Sequence, residues 1–237
     1  MNKAKVAIVT AASRGIGAGC ARELAARGYK VSLLARSQQV LTLAQALDGI
    51  AMQGSMAQAN DLETLVQTTL DKFGRIDAVV TSFGDPLRPD LLDISDEMWT
   101  ENFDLLFLSV VRIARLVTEP MRRQGGGAII NISACDSQEP ELGTPFSGTL
   151  RAAMEGFTRL YAKRYRSDRI RMNSVAPFFV ADSMAELANW AVPDDLMWGR
   201  PATYSELAKT VAFLLSDEAK FITGTTLKVD EARSAAI

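Results

Sequence analysis

Residues Thr10-Ala11-Ala12-Ser13-Arg14-Gly15-Ile16-Gly17 follow the first apolar run of the chain and open its first amphipathic stretch. Gly15 and Gly17 let backbone come close to a diphosphate, and the N-terminus of the helix behind them offers free N–H groups and a partial positive charge. A glycine pair can also make a tight turn with no ligand. Its place between first strand and first helix is what points to a dinucleotide. The second apolar run ends Leu33-Leu34-Ala35-Arg36-Ser37. An NAD site wants an acid there for the ribose 2′-hydroxyl, whereas arginine suits the 2′-phosphate of NADP. Ala35 supplies no acid. Arg36 and Arg14 could reach one phosphate with charge-assisted hydrogen bonds, unless both are merely solvated. NADP(H) is therefore expected ahead of NAD(H).

The residues that are missing exclude other chemistries. The 237-residue chain has no histidine, so it has no Ser-His-Asp triad, no histidine base and none of the common zinc sites. No metal is expected. A net charge of −2 gives no basic field for nucleic acid or an anionic membrane. No apolar run reaches the roughly 18 residues of a membrane span. The chain turns strand-like within five residues, so no signal peptide is expected. Cys20 and Cys135 are far apart and read as reduced thiols of a cytoplasmic protein.

The elements that must position the loop alternate from end to end. Strands are predicted at Val6–Val9, Val31–Leu34, Ile50–Gln53, Ala78–Val80, Ala128–Ile132, Met172–Ala176 and Thr226–Val229. Several are continuous apolar runs, as in parallel strands covered on both faces. Ile16, Cys20 and Leu24 recur at helical spacing, and Gly28 closes that helix. Asn60 with Glu63, and Thr203 with Glu206, read as capping boxes, and Gly74 as a helix stop. The expected fold is α/β: one Rossmann-type doubly wound parallel sheet of about seven strands, spanning 1–237 as a single domain. Residues 177–202 are the least regular part and follow a strand C-terminus, where ligands bind. Trp190, Trp198, Met184 and Met197 there suggest an apolar pocket or lid, or else loop packing or a subunit contact.

Six segments in order resemble the short-chain dehydrogenase/reductase family. They are Thr10–Gly17, Phe73–Asp77 leading into Thr81-Ser82-Phe83-Gly84, Ile130–Ala134, Asn173–Phe178, Leu214–Asp217 and Ile222-Thr223-Gly224. The resemblance implies a dinucleotide held by Thr10, Ser13, Arg14, Gly15, Ile16, Gly17, Arg36, Ser55, Met56, Ser82, Phe83, Gly84, Arg151, Pro177 and Val180. Family members work with an Asn, Ser, Tyr and Lys tetrad. Here Arg151-Ala152-Ala153 resembles the Lys-Ala-Ala of that motif, so Arg151 takes the Lys place and Ser147 the Tyr place. Ala134 takes the Ser place. Leu106, counted from Trp99, takes the Asn place. A shift by one would pair Phe146 with Leu150. Tyr161 and Tyr165 lie further along the helix. Ser55 stands where the family has an adenine-contacting Asp, and Asp182 near a carboxamide-contacting Thr. Phe178 and Glu231 replace glycines.

Ser147 and Arg151 share a helix face. Arg151 could hold ribose hydroxyls. Ser147 is shorter than tyrosine and a far weaker acid than a phenol of pKa about 10. General acid–base help worth about 10²–10⁴ in rate is thereby at risk. A divergent subset of the family pairs Ser with Arg and carries a Gly-Gly-Pro-like turn, which Gly84-Asp85-Pro86 resembles. Cys135, Asp136, Ser137 and Asp182 are candidate proton handlers. Each also has a plainer reading: filler for Cys135, loop solvation for Asp136 and Ser137, and a helix cap before Met184 for Asp182. Ser133 is expected to face away.

Three functions fit. The first is an NADP(H)-dependent oxidoreductase acting on a carbonyl/alcohol pair through an atypical site. The second is a non-catalytic cofactor-binding or regulatory subunit, paired with a catalytic paralogue. The third is a dehydratase, isomerase or cyclase on the same fold. The helices near 97–123 and 147–166 carry Leu105, Leu106, Val110, Leu150, Met154, Phe157 and Tyr161. In the family the matching helices pair across a two-fold axis, so the resemblance implies a homodimer or homotetramer, unless these faces only cover the sheet.

Overall fold

A computed structural model describes residues 4–84, 87–188 and 192–235. Seven strands form one sheet: β1 Val6–Thr10, β2 Lys30–Ala35, β3 Ile50–Gln53, β4 Ala78–Thr81, β5 Gly127–Ile132, β6 Ile170–Pro177 and β7 Thr226–Val229. Their order is β3-β2-β1-β4-β5-β6-β7, and each neighbouring pair runs parallel. The chain winds outward one way from β1 and then the other way from β4. The crevice where the order reverses lies at the C-terminal ends of β1 and β4.

Burial explains the strand composition. All five residues of β1 and all four of β4 are buried. Side chains alternate between two cores. Ala7, Val9, Leu33, Val80, Ile130 and Ile132 pack with helices α1 Gly15–Ala26 and α7 Tyr204–Leu215. Ile8, Leu34, Val79 and Ile129 pack with α3 Ala59–Phe73 and α5 Ser109–Arg123. A polar thread also crosses the second layer. Thr81 Oγ1 donates to Asn131 Oδ1 at 2.7 Å, and Asn131 Nδ2 donates to Thr158 Oγ1 at 2.9 Å. This ties β4, β5 and α6 Pro145–Tyr165 together inside the fold.

The helix ends test the capping signals. Thr203 and Glu206 form a full capping box on α7: Thr203 Oγ1 accepts from the Glu206 amide at 3.2 Å, and a Glu206 carboxylate oxygen accepts from the Thr203 amide at 2.8 Å. Gly74 closes α3 at φ 73°, and Gly28 follows α1 at φ 85°. The Asn60–Glu63 box does not form. α3 starts at Ala59 behind an extended Gln58, so Asn60 is already helical and gives its carbonyl to Thr64 Oγ1. The helical stretch 96–123 is two helices, α4 Asp96–Phe103 and α5, joined by a π turn at Asp104–Leu108. α2 Gln39–Ala46 completes the set.

Candidate active site

The mouth between β1 and α1 is built mostly from backbone. Thr10 Oγ1 donates to the Ser82 carbonyl at 2.9 Å and accepts from the Ser82 amide at 3.0 Å. That pair fixes the end of β1 to the chain leaving β4. The loop then turns through Ala11 at φ 48° and Gly15 at φ 61°. Ala11 holds a left-handed conformation that costs a residue with a Cβ about 1–2 kcal/mol. Gly17 is required by contact: a Cβ there would lie 2.5 Å from the Ala11 carbonyl oxygen and 2.8 Å from that of Thr10. Arg14 is the N-cap, extended at φ −158°, and makes no side-chain cap. The first-turn amides of α1 thus face the mouth without a protein cap, a donor set that fits a diphosphate.

Arg14 and Arg36 are both exposed at this mouth. A Cβ at Gly84 would lie 3.5 Å from Arg36 Nη2, so the guanidinium leans across from β2 toward the chain after β4. Gln53 Nε2 donates to the Arg36 carbonyl at 2.8 Å and fixes the end of β2. Ser55 is half-buried. Its amide donates to Asp61 Oδ2 at 2.7 Å, so an acid one turn into α3 shapes this corner. The Met56 side chain is buried in the second core. Phe83 and Val180 are half-buried and Pro177 is buried. Asp85, Pro86 and Trp190 lie outside the described residues.

The second half of the site lies where β5 ends against α6. Ser147 and Arg151 are one turn apart and only 4% and 7% exposed. Arg151 Nη1 donates to the Ile132 carbonyl, and its guanidinium lies 5.1 Å from the centroid of the Phe83 ring. Arg151 therefore joins the end of β5 to the end of β4, facing the mouth. Ala134 is half-buried and extended. Leu106 is fully buried in the π turn. Trp99 meets Phe146 edge-on at 4.9 Å, which docks α4 against the start of α6.

Three of the candidate proton handlers, Cys135, Ser137 and Asp182, have other partners. Burial, with Asp230 nearby, pushes the Cys135 thiol up to about 12, and it donates to the Ala176 carbonyl at 3.4 Å. Ser137 Oγ bonds the Ala134 carbonyl at 2.7 Å and Glu155 Oε1 at 2.5 Å. Asp182 does not cap the short 3₁₀ turn Met184–Leu187; Ser183 stands at that cap. Asp182 Oδ1 instead accepts from the Tyr204 amide at 3.1 Å, at the start of α7. Ser133 turns toward α6 and donates to Glu155 Oε1 at 2.6 Å. Glu155, one turn beyond Arg151 and 4% exposed, thus gathers Ser133, Ser137 and Gln138 and holds the 133–138 loop. An acid at helical spacing from Arg151 was its only sequence signal.

The 177–202 segment folds back on itself. Val180 bridges Ala202, and the Ala181 amide donates to the Ala202 carbonyl at 2.9 Å. A cavity of about 450 Å³ lies beside it, lined by Phe178, Phe179, Leu196, Trp198 and Val229, with the bidentate Arg200–Glu206 pair at its wall. Trp198, Met184 and Met197 are themselves 75%, 51% and 63% exposed.

Comparison with known proteins assigns this geometry to a family. The enoyl-(acyl carrier protein) reductase family profile matches residues 10–231. A 3-oxoacyl-[acyl-carrier-protein] reductase of Synechocystis sp. is 36% identical over 237 residues, covering 96% of each chain. A reductase of the same name from Staphylococcus aureus is 30% identical, covering 97% of this chain and 98% of its own. L-sorbose reductase from Gluconobacter frateurii, solved with NADPH and L-sorbose, superposes with a TM-score of 0.90 at 26% identity, covering 99% of this chain and 98% of that one. No helix among the described residues is long and apolar enough to cross a membrane. With a switch-point crevice, a glycine loop at its floor and relatives matched over nearly their whole length, this chain belongs to the short-chain dehydrogenase/reductase family of oxidoreductases.

Proposed function

We propose that the chain is an NADP(H)-dependent reductase of a carbonyl/alcohol pair whose proton-handling site departs from the family pattern. The observation that carries this reading is the uncapped N-terminus of α1 behind Gly15 and Gly17, with Arg14 and Arg36 beside it. Amides and helix dipole hold the diphosphate, and the two guanidinium groups favour a 2′-phosphate over a 2′-hydroxyl. The NADPH complex of the L-sorbose reductase supports the same choice, and the names of the acyl-carrier relatives support a reductase. When bound, the dihydronicotinamide supplies a hydride.

On this reading Ser147, Arg151, Ala134 and Leu106 stand in the four tetrad places. Arg151, held between Ile132 and Phe83, presents positive charge to the ribose and to developing charge on a substrate oxygen. Ser147 offers only a short, weakly acidic hydroxyl. Half-buried Leu105 in the π turn before α5, and half-buried Leu150 and Phe157 with 69%-exposed Leu160 on α6, support a homodimer or homotetramer through these elements. Leu106, Val110, Met154 and Tyr161 are buried within the chain and cover its own sheet.

The test is calorimetric titration with NADPH and NADH. It is followed by cofactor-oxidation assays on a 3-oxoacyl thioester, a ketose and a small diketone. Tight NADPH binding with turnover of one carbonyl is the expected result. Binding without turnover on any carbonyl would favour a second reading, a cofactor-binding subunit. That reading draws on Ala134 and Leu106, which place no hydroxyl or amide beside Ser147.

A further inference from the structure

Tyr204 is the first residue of α7, and it touches three things at once. Its ring lies against the glycine face of the phosphate loop: a Cβ at Gly15 would be 3.8 Å from its ring carbons and 3.9 Å from its hydroxyl, and a Cβ at Gly19 would be 3.0 Å from Tyr204 Cβ. Its amide donates to Asp182 Oδ1 at 3.1 Å. Its hydroxyl donates to Glu186 Oε2 at 2.5 Å. Two carboxylates of the 181–202 segment thus grip one tyrosine at its two ends, and that tyrosine sits on the floor of the dinucleotide mouth. Asp182 is spent on the α7 amide. Glu186 is exposed, bonded to the hydroxyl that faces Gly15, and supplies negative charge next to the positive end of α1.

We propose that Tyr204 is a positioning residue linking the 181–202 segment to the phosphate loop, with Glu186 as an internal anion that an arriving diphosphate displaces. The proposal rests on the dinucleotide reading above. Glu186 and a diphosphate held by the α1 amides carry like charge, so the Glu186–Tyr204 latch opens as the diphosphate seats. The 3₁₀ turn Met184–Leu187 is then freed to rearrange beside the substrate. The latch therefore weakens cofactor binding and reports its arrival to the 3₁₀ turn Met184–Leu187.

The experiment compares wild type, Glu186→Gln and Tyr204→Phe. NADPH is titrated by calorimetry at low and high salt, and hydrogen exchange is followed across 182–188 with and without NADPH. Glu186→Gln is expected to tighten NADPH about three- to tenfold at low salt, with the gain shrinking at high salt. Tyr204→Phe keeps the ring against Gly15 and Gly19. It is expected to speed exchange at 182–188 without nucleotide and to abolish the further change on NADPH addition. Unchanged or weaker NADPH binding by Glu186→Gln, or wild-type exchange in Tyr204→Phe, overturns the latch while leaving the cofactor reading intact. No heat from NADPH with wild type removes the cofactor reading and the coupling together.

Discussion

The mouth at β1–α1 and the pocket at β5–α6 are made of different materials. The mouth is glycine, backbone amide and one threonine–serine splice, with Thr10 and Ser82 exchanging two hydrogen bonds. The pocket is made of side chains, and on the proposed reading its character is decided by Ser147, Arg151, Ala134 and Leu106. A site made of backbone keeps its function as long as the loop keeps its shape. A site made of side chains changes chemistry one substitution at a time. On the proposed reading, that is how one chain can hold a dinucleotide mouth together with unfamiliar acid–base groups.

The strongest way to break the comparison is to rebuild the pocket and leave the mouth alone. Ser147→Tyr with Arg151→Lys and Ala134→Ser is expected to raise cofactor oxidation on a reactive ketone by about 10²-fold or more, read as initial rate. No gain with NADPH affinity intact would mean that the pocket's chemistry does not follow the family register. The reverse experiment breaks the mouth. Gly17→Ala puts a methyl 2.5 Å from the Ala11 carbonyl, so it is expected to cost about 1–3 kcal/mol in urea unfolding and to abolish measurable NADPH heat. A variant that keeps full binding would show that the loop does not serve a diphosphate.

Smaller effects sharpen the picture. Arg36→Ala is expected to weaken NADPH about tenfold while leaving NADH within about twofold, since a charge-assisted bond is worth roughly 1.5 kcal/mol or more. Equal losses for both would remove the 2′-phosphate role. The smallest effect is alkaline. Burial pushes Cys20 and Cys135 from 9.0 to about 12 and Tyr161 from 10.0 to about 12. The fold keeps these groups neutral, whereas the unfolded chain ionises them from pH 9 upward. Their stability is complete below pH 9 and erodes between pH 9 and 12. Urea midpoints at pH 8 and pH 10.5 should differ by a modest but measurable amount, and neither thiol should take up iodoacetamide at pH 8 until the chain unfolds.

What could be read from the sequence divides along the same line. Gly15, Gly17 and Gly74 answer demands of backbone geometry, which are local, so spacing reveals them. Thr203 and Glu206 are legible for the same reason, because a capping box closes within four residues. Asn60 and Glu63 show the weakness of that signal: the pattern is present, but the chain enters α3 two residues early, with Gln58 at the cap, and Asp61 goes to the Ser55 amide. Asp182 is misread because its partner, the Tyr204 amide, is 22 residues away. Glu155 could not be found by motif, since Ser133, Ser137 and Gln138 meet it only when β5 packs on α6. The apolar residues of α5 and α6 divide between core and surface in a way that periodicity alone does not resolve.

The widened turn at Asp104–Leu108 sets a phase. In an α-helix each residue advances about 100° around the axis, so a turn closed by one residue too many rotates everything after it relative to everything before. Trp99 can therefore aim at Phe146 while Val110, Ile113 and Val117 still aim at the sheet. Closing that turn as ordinary α-helix with every residue kept would swing the downstream valines and isoleucine about 100° around the axis, whereas deleting one residue within it would restore α geometry and leave both faces in place: the wide turn is how the helix absorbs its extra residue.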